Sequence, residues 1–236
     1  MIDTAMVLAA GKGTRMRAAQ DAPPKPLVEL AGESLLARML ARLMAAGINR
    51  IIVNVHHKAA QIEAMLADFA AAHPALEIHI SDERAALLET GGGVKKALPL
   101  LGAGPFLVAN ADVLWLETRP AIDGLMAGFD ADTMQARLLM AERATATGYD
   151  GIGDYHLLAD GGLRRRGAEP ADWIFAGVQI LTPALFADMP DGAFSLNKVY
   201  DQAQDTGALY GTPLAGRWMH VGTPEGRAAA EQLMAQ

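Results

Sequence analysis

Leu8-Ala9-Ala10-Gly11-Lys12-Gly13-Thr14-Arg15-Met16 is where an apolar run stops and a loop begins. The run from Ala5 to Leu8 gives way to two glycines and three cations, Lys12, Arg15 and Arg17. Gly11 and Gly13 can adopt positive φ and let another molecule approach the backbone closely. Exposed loop N–H groups beside Lys and Arg make a concavity suited to an anion. This spacing predicts a phosphate-binding loop at the carboxyl end of the first strand of an α/β sheet. A plain strand-to-helix turn accounts for the same glycines. The stretch is neither a P-loop, whose G-x-x-x-x-G-K-[ST] string is absent, nor a dinucleotide fingerprint, because Met16 or Arg17 stands where a third glycine belongs.

Working outward, Ile2 to Ala10 reads as a buried first strand. Ser34 can cap a helix with apolar face Leu35, Leu36, Met39, Leu40, Leu43 and Met44, ended by Gly47. Ile51–Val55 is a short buried strand, Lys58–Ala72 a second amphipathic helix and Leu76–Ile80 a third strand. This βαβαβ alternation predicts a parallel sheet with right-handed crossovers. Phe106–Ala109 adds a strand. Thr133–Glu142 and Ile152–Leu158 alternate loosely like strands, Asp160-Gly161-Gly162 is a hairpin turn signal, and Trp173–Leu181 is another strand. Helices are expected at Thr182–Asp188, Leu196–Thr206 and Pro224–Met234.

With 236 residues, 51% of them hydrophobic, the chain can bury a sizeable core. Its net charge of −7 leaves no basic stripe for nucleic acid. The absence of cysteine excludes disulfides and thiolate metal sites. No signal-peptide pattern or membrane-length apolar run is evident, which predicts a cytoplasmic protein with no membrane partner.

Four further stretches carry candidate chemistry. Pro24 and Pro26 flank Lys25 and stiffen its backbone, which would fix one ammonium in place; a solvated lysine is the alternative. Gly91-Gly92-Gly93, after Glu89 and Thr90, suggests a flat group lying on the backbone, or a hinge. The helix that follows, to about Leu101, would aim N-terminal donors at a ligand. Asn110-Ala111-Asp112 follows a strand, where open α/β sheets bind ligands; Asp112 suits Mg²⁺ bridged to phosphates, or a simple turn. The run Arg164-Arg165-Arg166 reads as a solvated, charge-protected edge. His56 and His57 are assigned no role.

Taken in order, L-A-A-G-K-G-T-R-M, P-K-P-L at Pro24–Leu27, E-T-G-G-G at Glu89–Gly93, N-A-D at Asn110–Asp112, F-A-G at Phe175–Gly177 and W-x-x-V-G-T-P at Trp218–Pro224 resemble the sugar-1-phosphate nucleotidylyltransferases. The likeness spans nearly the whole chain. It is strongest to the short members without a C-terminal β-helix, particularly the N-acetylmuramate-1-phosphate uridylyltransferases. It implies one Rossmann-like three-layer α/β domain, residues 1–236, with a mostly parallel mixed sheet. A nucleotide half (about 1–115) would precede a sugar half (about 116–236). It implies NTP plus sugar 1-phosphate giving NDP-sugar and pyrophosphate, with Mg²⁺ as cofactor, in a monomer; the apolar stretch Leu114-Trp115-Leu116 adds a weak homodimer as the alternative, and no nucleic-acid partner is expected.

By position, the resemblance assigns Leu8, Ala9, Ala10, Gly11, Thr90, Gly91 and Gly92 to the base, and Gly13, Thr14 and Arg15 to the triphosphate. Arg15, Lys25 and Asp112 would be catalytic. Lys25, Asn110, Gly148, Glu169 and Gly177 would face the sugar phosphate. Asp112 would bind Mg²⁺. The family's second ligand, an Asp or Asn, is replaced here by His220, a softer donor. His220 would serve as a phosphate or water contact, shift the metal preference, or weaken the site. Uridylyl transfer to N-acetylmuramate 1-phosphate in cell-wall recycling is the leading expectation. Guanylyl transfer to mannose 1-phosphate and a regulatory nucleotide-binding protein are the alternatives.

Overall fold

The computed structural model describes residues 2–11 and 23–235. Strand β1 (Thr4–Leu8) is buried along most of its length. The short hairpin β2 (Glu29–Leu30) and β3 (Glu33–Ser34) leads into α1 (Leu35–Ala45). The Ser34 hydroxyl accepts from the Ala37 N–H at 3.1 Å, so the expected cap is made. Leu35, Leu36, Met39, Leu40 and Leu43 are all buried on the expected face; each such side chain contributes about 1.5–3 kcal/mol of burial. Strand β4 (Arg50–Val55), α2 (Ala59–Ala72) and β5 (Glu77–Asp82) follow. After them come α3 (Glu89–Leu101), β6 (Phe106–Asn110), β7 (Leu114–Glu117) and α4 (Ala121–Ala127). The second half holds β8 (Ala136–Glu142), β9 (Tyr155–Leu157), β10 (Leu163–Arg165), β11 (Trp173–Leu181), α5 (Asn197–Asp205), β12 (Leu209–Pro213), β13 (Gly216–Met219) and α6 (Pro224–Met234).

Among the described residues, nine strands form one mixed sheet with the path β10-β9-β11-β6-β1-β4-β5, while β8 and β12 extend it from β11. The β6-β1-β4-β5 portion is parallel throughout, as the βαβαβ pattern requires. Antiparallel β11 joins it to the second half, with Val178 opposite Ala109. One large apolar cluster packs under α1 and α2; another packs under α3 and α5. The sheet is therefore covered on both faces, the three-layer α/β arrangement.

Three expectations need correction. The three glycines lie inside α3, in no loop before it. The segment Thr182–Asp188 forms only a single 3₁₀ turn, Pro183–Phe186. Strand β8 begins at Ala136, since the Asp130 carboxylate binds the Asp132 N–H and the Thr133 hydroxyl and turns the chain just before it. The Asp160-Gly161-Gly162 turn is present: Gly161 has φ +85° and the Asp160 carboxylate accepts from the Gly162 N–H at 2.9 Å.

Candidate active site

A cleft of about 440 Å³ opens at the carboxyl ends of β1, β4 and β6. Leu8, Ala9, Ala10 and Gly11 form one lip, Leu87, Glu89 and Thr90 the other. Asn54 and Asn110 lie between them, and Lys25, Pro26, Asp112, His220, Gly222 and Thr223 complete the wall. The expected Lys12, Gly13, Thr14, Arg15 and Arg17 lie outside the described residues.

The two lips are joined by a buried polar chain. The Asn54 side-chain oxygen accepts from the Ala9 N–H at 2.7 Å and from the Ala10 N–H at 3.3 Å. Its amide donates to Glu83 Oε1 at 2.7 Å, and Glu83 Oε2 accepts from the Leu88 N–H at 3.1 Å. Asn54 is 2% exposed and Glu83 is fully buried, so these bonds form out of water, where losing a partner costs about 1–3 kcal/mol. Gly93 makes room for the chain: a Cβ there would sit 2.7 Å from Glu83 Oε1 and 3.0 Å from Asn54 Nδ2. Neither Asn54 nor Glu83 was singled out from the sequence. The available signal was one Asn inside the apolar run Ile51-Ile52-Val53-Asn54-Val55.

The other two glycines are also packing residues. A Cβ on Gly91 would come within 2.3 Å of the Phe194 ring, and one on Gly92 within 2.1 Å of the Gly192 carbonyl oxygen. Both N–H groups bond the Phe194 carbonyl, at 2.8 and 3.1 Å. The α3 N-terminus thus spends these donors inside the protein, contrary to the expectation that they meet a ligand. Gly91 and Gly92 stand behind the cleft wall; Thr90 stands on it, its hydroxyl accepting from the Leu196 N–H at 2.9 Å. Glu89, at the cleft, holds φ +58°, a left-handed conformation that L side chains adopt at a cost.

Lys25 sits in the 3₁₀ turn Lys25–Leu27 and its ammonium meets Asp112 Oδ2 at 2.5 Å. Flanking prolines hold this lysine as expected, and its partner is the carboxylate at the end of the β6 segment. His220 reaches the same place by strand pairing. Antiparallel β13 lies on β7 with Met219 opposite Leu114, so the residue after β13 is set beside the residues before β7. The His220 ring also packs beside Trp218, 6.0 Å between centroids. Among the described residues no three His, Cys, Asp or Glu side chains cluster as a metal cage. Asp112 with substrate phosphates nonetheless fits Mg²⁺, which takes one or two carboxylates and phosphate oxygens.

The residues expected at the sugar divide. Asn110 lines the cleft. Gly177, φ +89°, lies across the β6–β11 pairing from it: a Cβ there would be 3.3 Å from Asn110 Nδ2 and 2.6 Å from Val113 Cγ1. Gly148, φ +70°, lies against the His220 backbone. Glu169 is exposed on the loop between β10 and β11. The arginine run is not uniformly a solvated edge. Arg164 is exposed, but Arg165 and Arg166 are half-buried and line a second cavity of about 410 Å³ with Asp154, Tyr155, Phe175, Asn197 and Tyr200.

Residues 5–158 match the MobA-like NTP transferase domain. The chain is 45% identical over 234 residues to an N-acetylmuramate alpha-1-phosphate uridylyltransferase of Caulobacter vibrioides, covering 98% of this chain and 97% of that protein. It is 37% identical to a protein of the same description from Neisseria meningitidis serogroup B, covering 93% of each. A solved UDP-glucose pyrophosphorylase complexed with UDP-glucose superposes with a TM-score of 0.80 at 16% identity, over 100% of this chain and 99% of that one, which speaks to the fold. A Rossmann-like sheet, a cleft at its strand ends and similarity along almost the full length of the two uridylyltransferases lead to one conclusion: the chain belongs to the sugar-1-phosphate nucleotidylyltransferases.

Proposed function

We propose that this enzyme transfers a uridylyl group from UTP to N-acetylmuramate 1-phosphate, releasing pyrophosphate. The observation that carries the reading is the meeting of Lys25 and Asp112, 87 residues apart in sequence, at the cleft walled by Ala9–Ala10 and Thr90. The substrate pair follows from the 45% identity along almost the full chain. The nucleotide lies between the two lips and the sugar phosphate beside Asn110 and Gly177. The sugar-phosphate oxygen attacks the α-phosphorus in line with departing pyrophosphate. The attacking group is already an anion, so no protein base is needed; the protein must position two polyanions and offset their charge. Lys25 moves its ammonium from Asp112 to the phosphates, and Arg15 of the first loop adds a second cation. Asp112, with His220 alongside, would hold Mg²⁺, which supplies further charge neutralisation when bound. The whole chain works as one unit, residues 1–115 serving the nucleotide and 116–236 the sugar, in the cytoplasm where UTP is available and within a cell-wall recycling route.

Pyrophosphate release across a panel of nucleoside triphosphates and sugar 1-phosphates tests this. The highest kcat/KM is expected with UTP and N-acetylmuramate 1-phosphate. Preference for GTP and mannose 1-phosphate would replace the reading with guanylyl transfer, and release with no pair would favour a regulatory nucleotide-binding protein.

A further inference from the structure

The second cavity neighbours the first. Gly177 lies across the β6–β11 pairing from Asn110, which lines the first cleft. Phe175, which lines the second, stands two residues before Gly177 on β11, within the bulge that shifts the β8–β11 register between Phe175 and Gln179. On the other side, Thr90 of the first cleft bonds the Leu196 N–H, and the next residue, Asn197, lines the second. A sugar with its phosphate near Lys25 and its ring beside Asn110 and Gly177 would extend a ring substituent toward Phe175.

That substituent would meet a prepared cation. The Arg166 Nε donates to the Gly153 carbonyl at 2.7 Å and its Nη1 to the Gly167 carbonyl at 3.0 Å, so the guanidinium is held by backbone. Among the described residues no carboxylate comes within 4 Å of it. Of the nearby carboxylates, Asp201 pairs with Arg165 at 2.6 Å, and Asp154, which lines the cavity as an anion, accepts from the Phe175 N–H at 2.9 Å, so an incoming carboxylate must dock on the Arg166 side. Arg165 is further occupied over the Tyr155 ring, 5.9 Å from its centroid. Phe175 and Tyr200 meet edge-on at 5.9 Å and give the cavity an apolar wall. A guanidinium held in place, with spare N–H donors and aromatic walls beside it, suits a carboxylate carried on a short alkyl arm. On a chain of net charge −7, such an anion needs a dedicated partner.

We propose that this second cavity is an acid-reading subsite in which Arg166 binds the carboxylate of the 3-O-lactyl arm of N-acetylmuramate 1-phosphate, so that the enzyme selects an acidic sugar phosphate over its neutral counterpart. The proposal rests on the function proposed above. Arg166 here is a specificity residue that touches substrate away from the reacting phosphates.

The test combines changes on both partners. Wild type and Arg166→Gln are assayed with UTP and three acceptors: N-acetylmuramate 1-phosphate, its lactyl carboxamide, and N-acetylglucosamine 1-phosphate, which lacks the arm. Wild type is expected to prefer the acid to the amide by about 30-fold or more in kcat/KM, mainly through KM, the scale of an unpaired charged hydrogen bond. Arg166→Gln should erase that preference while changing kcat/KM for N-acetylglucosamine 1-phosphate less than about threefold. Arg164→Gln, on the exposed neighbour, should change nothing. Equal losses on all three acceptors, or a preserved preference for the acid, would overturn the proposal. Should Arg166→Gln fail to fold, the wild-type arm decides: equal use of acid and amide overturns it. A wild type inactive on N-acetylmuramate 1-phosphate but active on another acceptor would instead sink the function on which the subsite depends.

Discussion

Lys25 illustrates how a single side chain acquires meaning from its surroundings. Between two prolines its backbone has little freedom, and its ammonium is paired with Asp112 at 2.5 Å. The pair holds the ammonium and the carboxylate side by side at the cleft. Removing the ammonium leaves the phosphates with less compensation in the transition state. Lys25→Ala is expected to lower kcat by roughly two orders of magnitude, the scale of losing one such stabiliser, read from initial rates of pyrophosphate release at saturating substrates. Activity near wild type would remove Lys25 from the mechanism. Asn54 works differently: it touches the cleft, but its bonds run to Ala9, Ala10 and Glu83. It fixes the distance between the lips.

At the scale of the element, α3 is a helix built against its own propensities. Three consecutive glycines cost about 1 kcal/mol each relative to alanine in a helix interior, yet each sits where a Cβ has no room. The helix is retained because its N-terminal turn docks on the Gly192–Phe194 segment, where the Phe194 carbonyl accepts two of its N–H groups. Gly92→Ala is therefore expected to destabilise the protein despite improving helix propensity. Its Cβ would fall 2.1 Å from a backbone oxygen, so chain must move, and a loss of about 2 kcal/mol or more is expected. Chemical denaturation measures this; an unchanged midpoint would show that the segment gives way freely.

At the scale of the whole molecule, tyrosines withdrawn from water in the second half make stability depend on pH. Burial pushes the Tyr155 phenol up to about 12, and burial also raises Tyr200 and Tyr149. In the unfolded chain these phenols titrate near 10. Between those values the folded protein keeps protons that the unfolded chain releases, so stability falls as pH rises from about 10 to 12 and is complete below that window. Tyr155 alone accounts for about 2–3 kcal/mol of that loss. Denaturant titrations from pH 8 to 11.5 should show a plateau and then a decline, shallower in Tyr155→Phe. A slope identical in the variant would place the effect elsewhere.

What the sequence determined by itself was the local order of things. Period-3.6 and continuous apolar patterns marked α1, α2 and the parallel strands, because one-sided or full burial leaves a repeat along the chain. The ordered short strings around Leu8, Lys25, Asp112 and Trp218 marked the family and gathered Lys25, Thr90, Asn110, Asp112 and His220, all of which line one cleft. Tertiary structure decided whatever depends on residues remote in sequence. The pairing of β7 with β13 that brings His220 to the cleft lined by Asp112, the Asn54–Glu83 chain between the lips, the packing that explains the glycines, and the half-buried place of Arg166 leave no periodic trace. Contact between distant segments is a property of three-dimensional closeness, and a one-dimensional pattern records only neighbours along the chain.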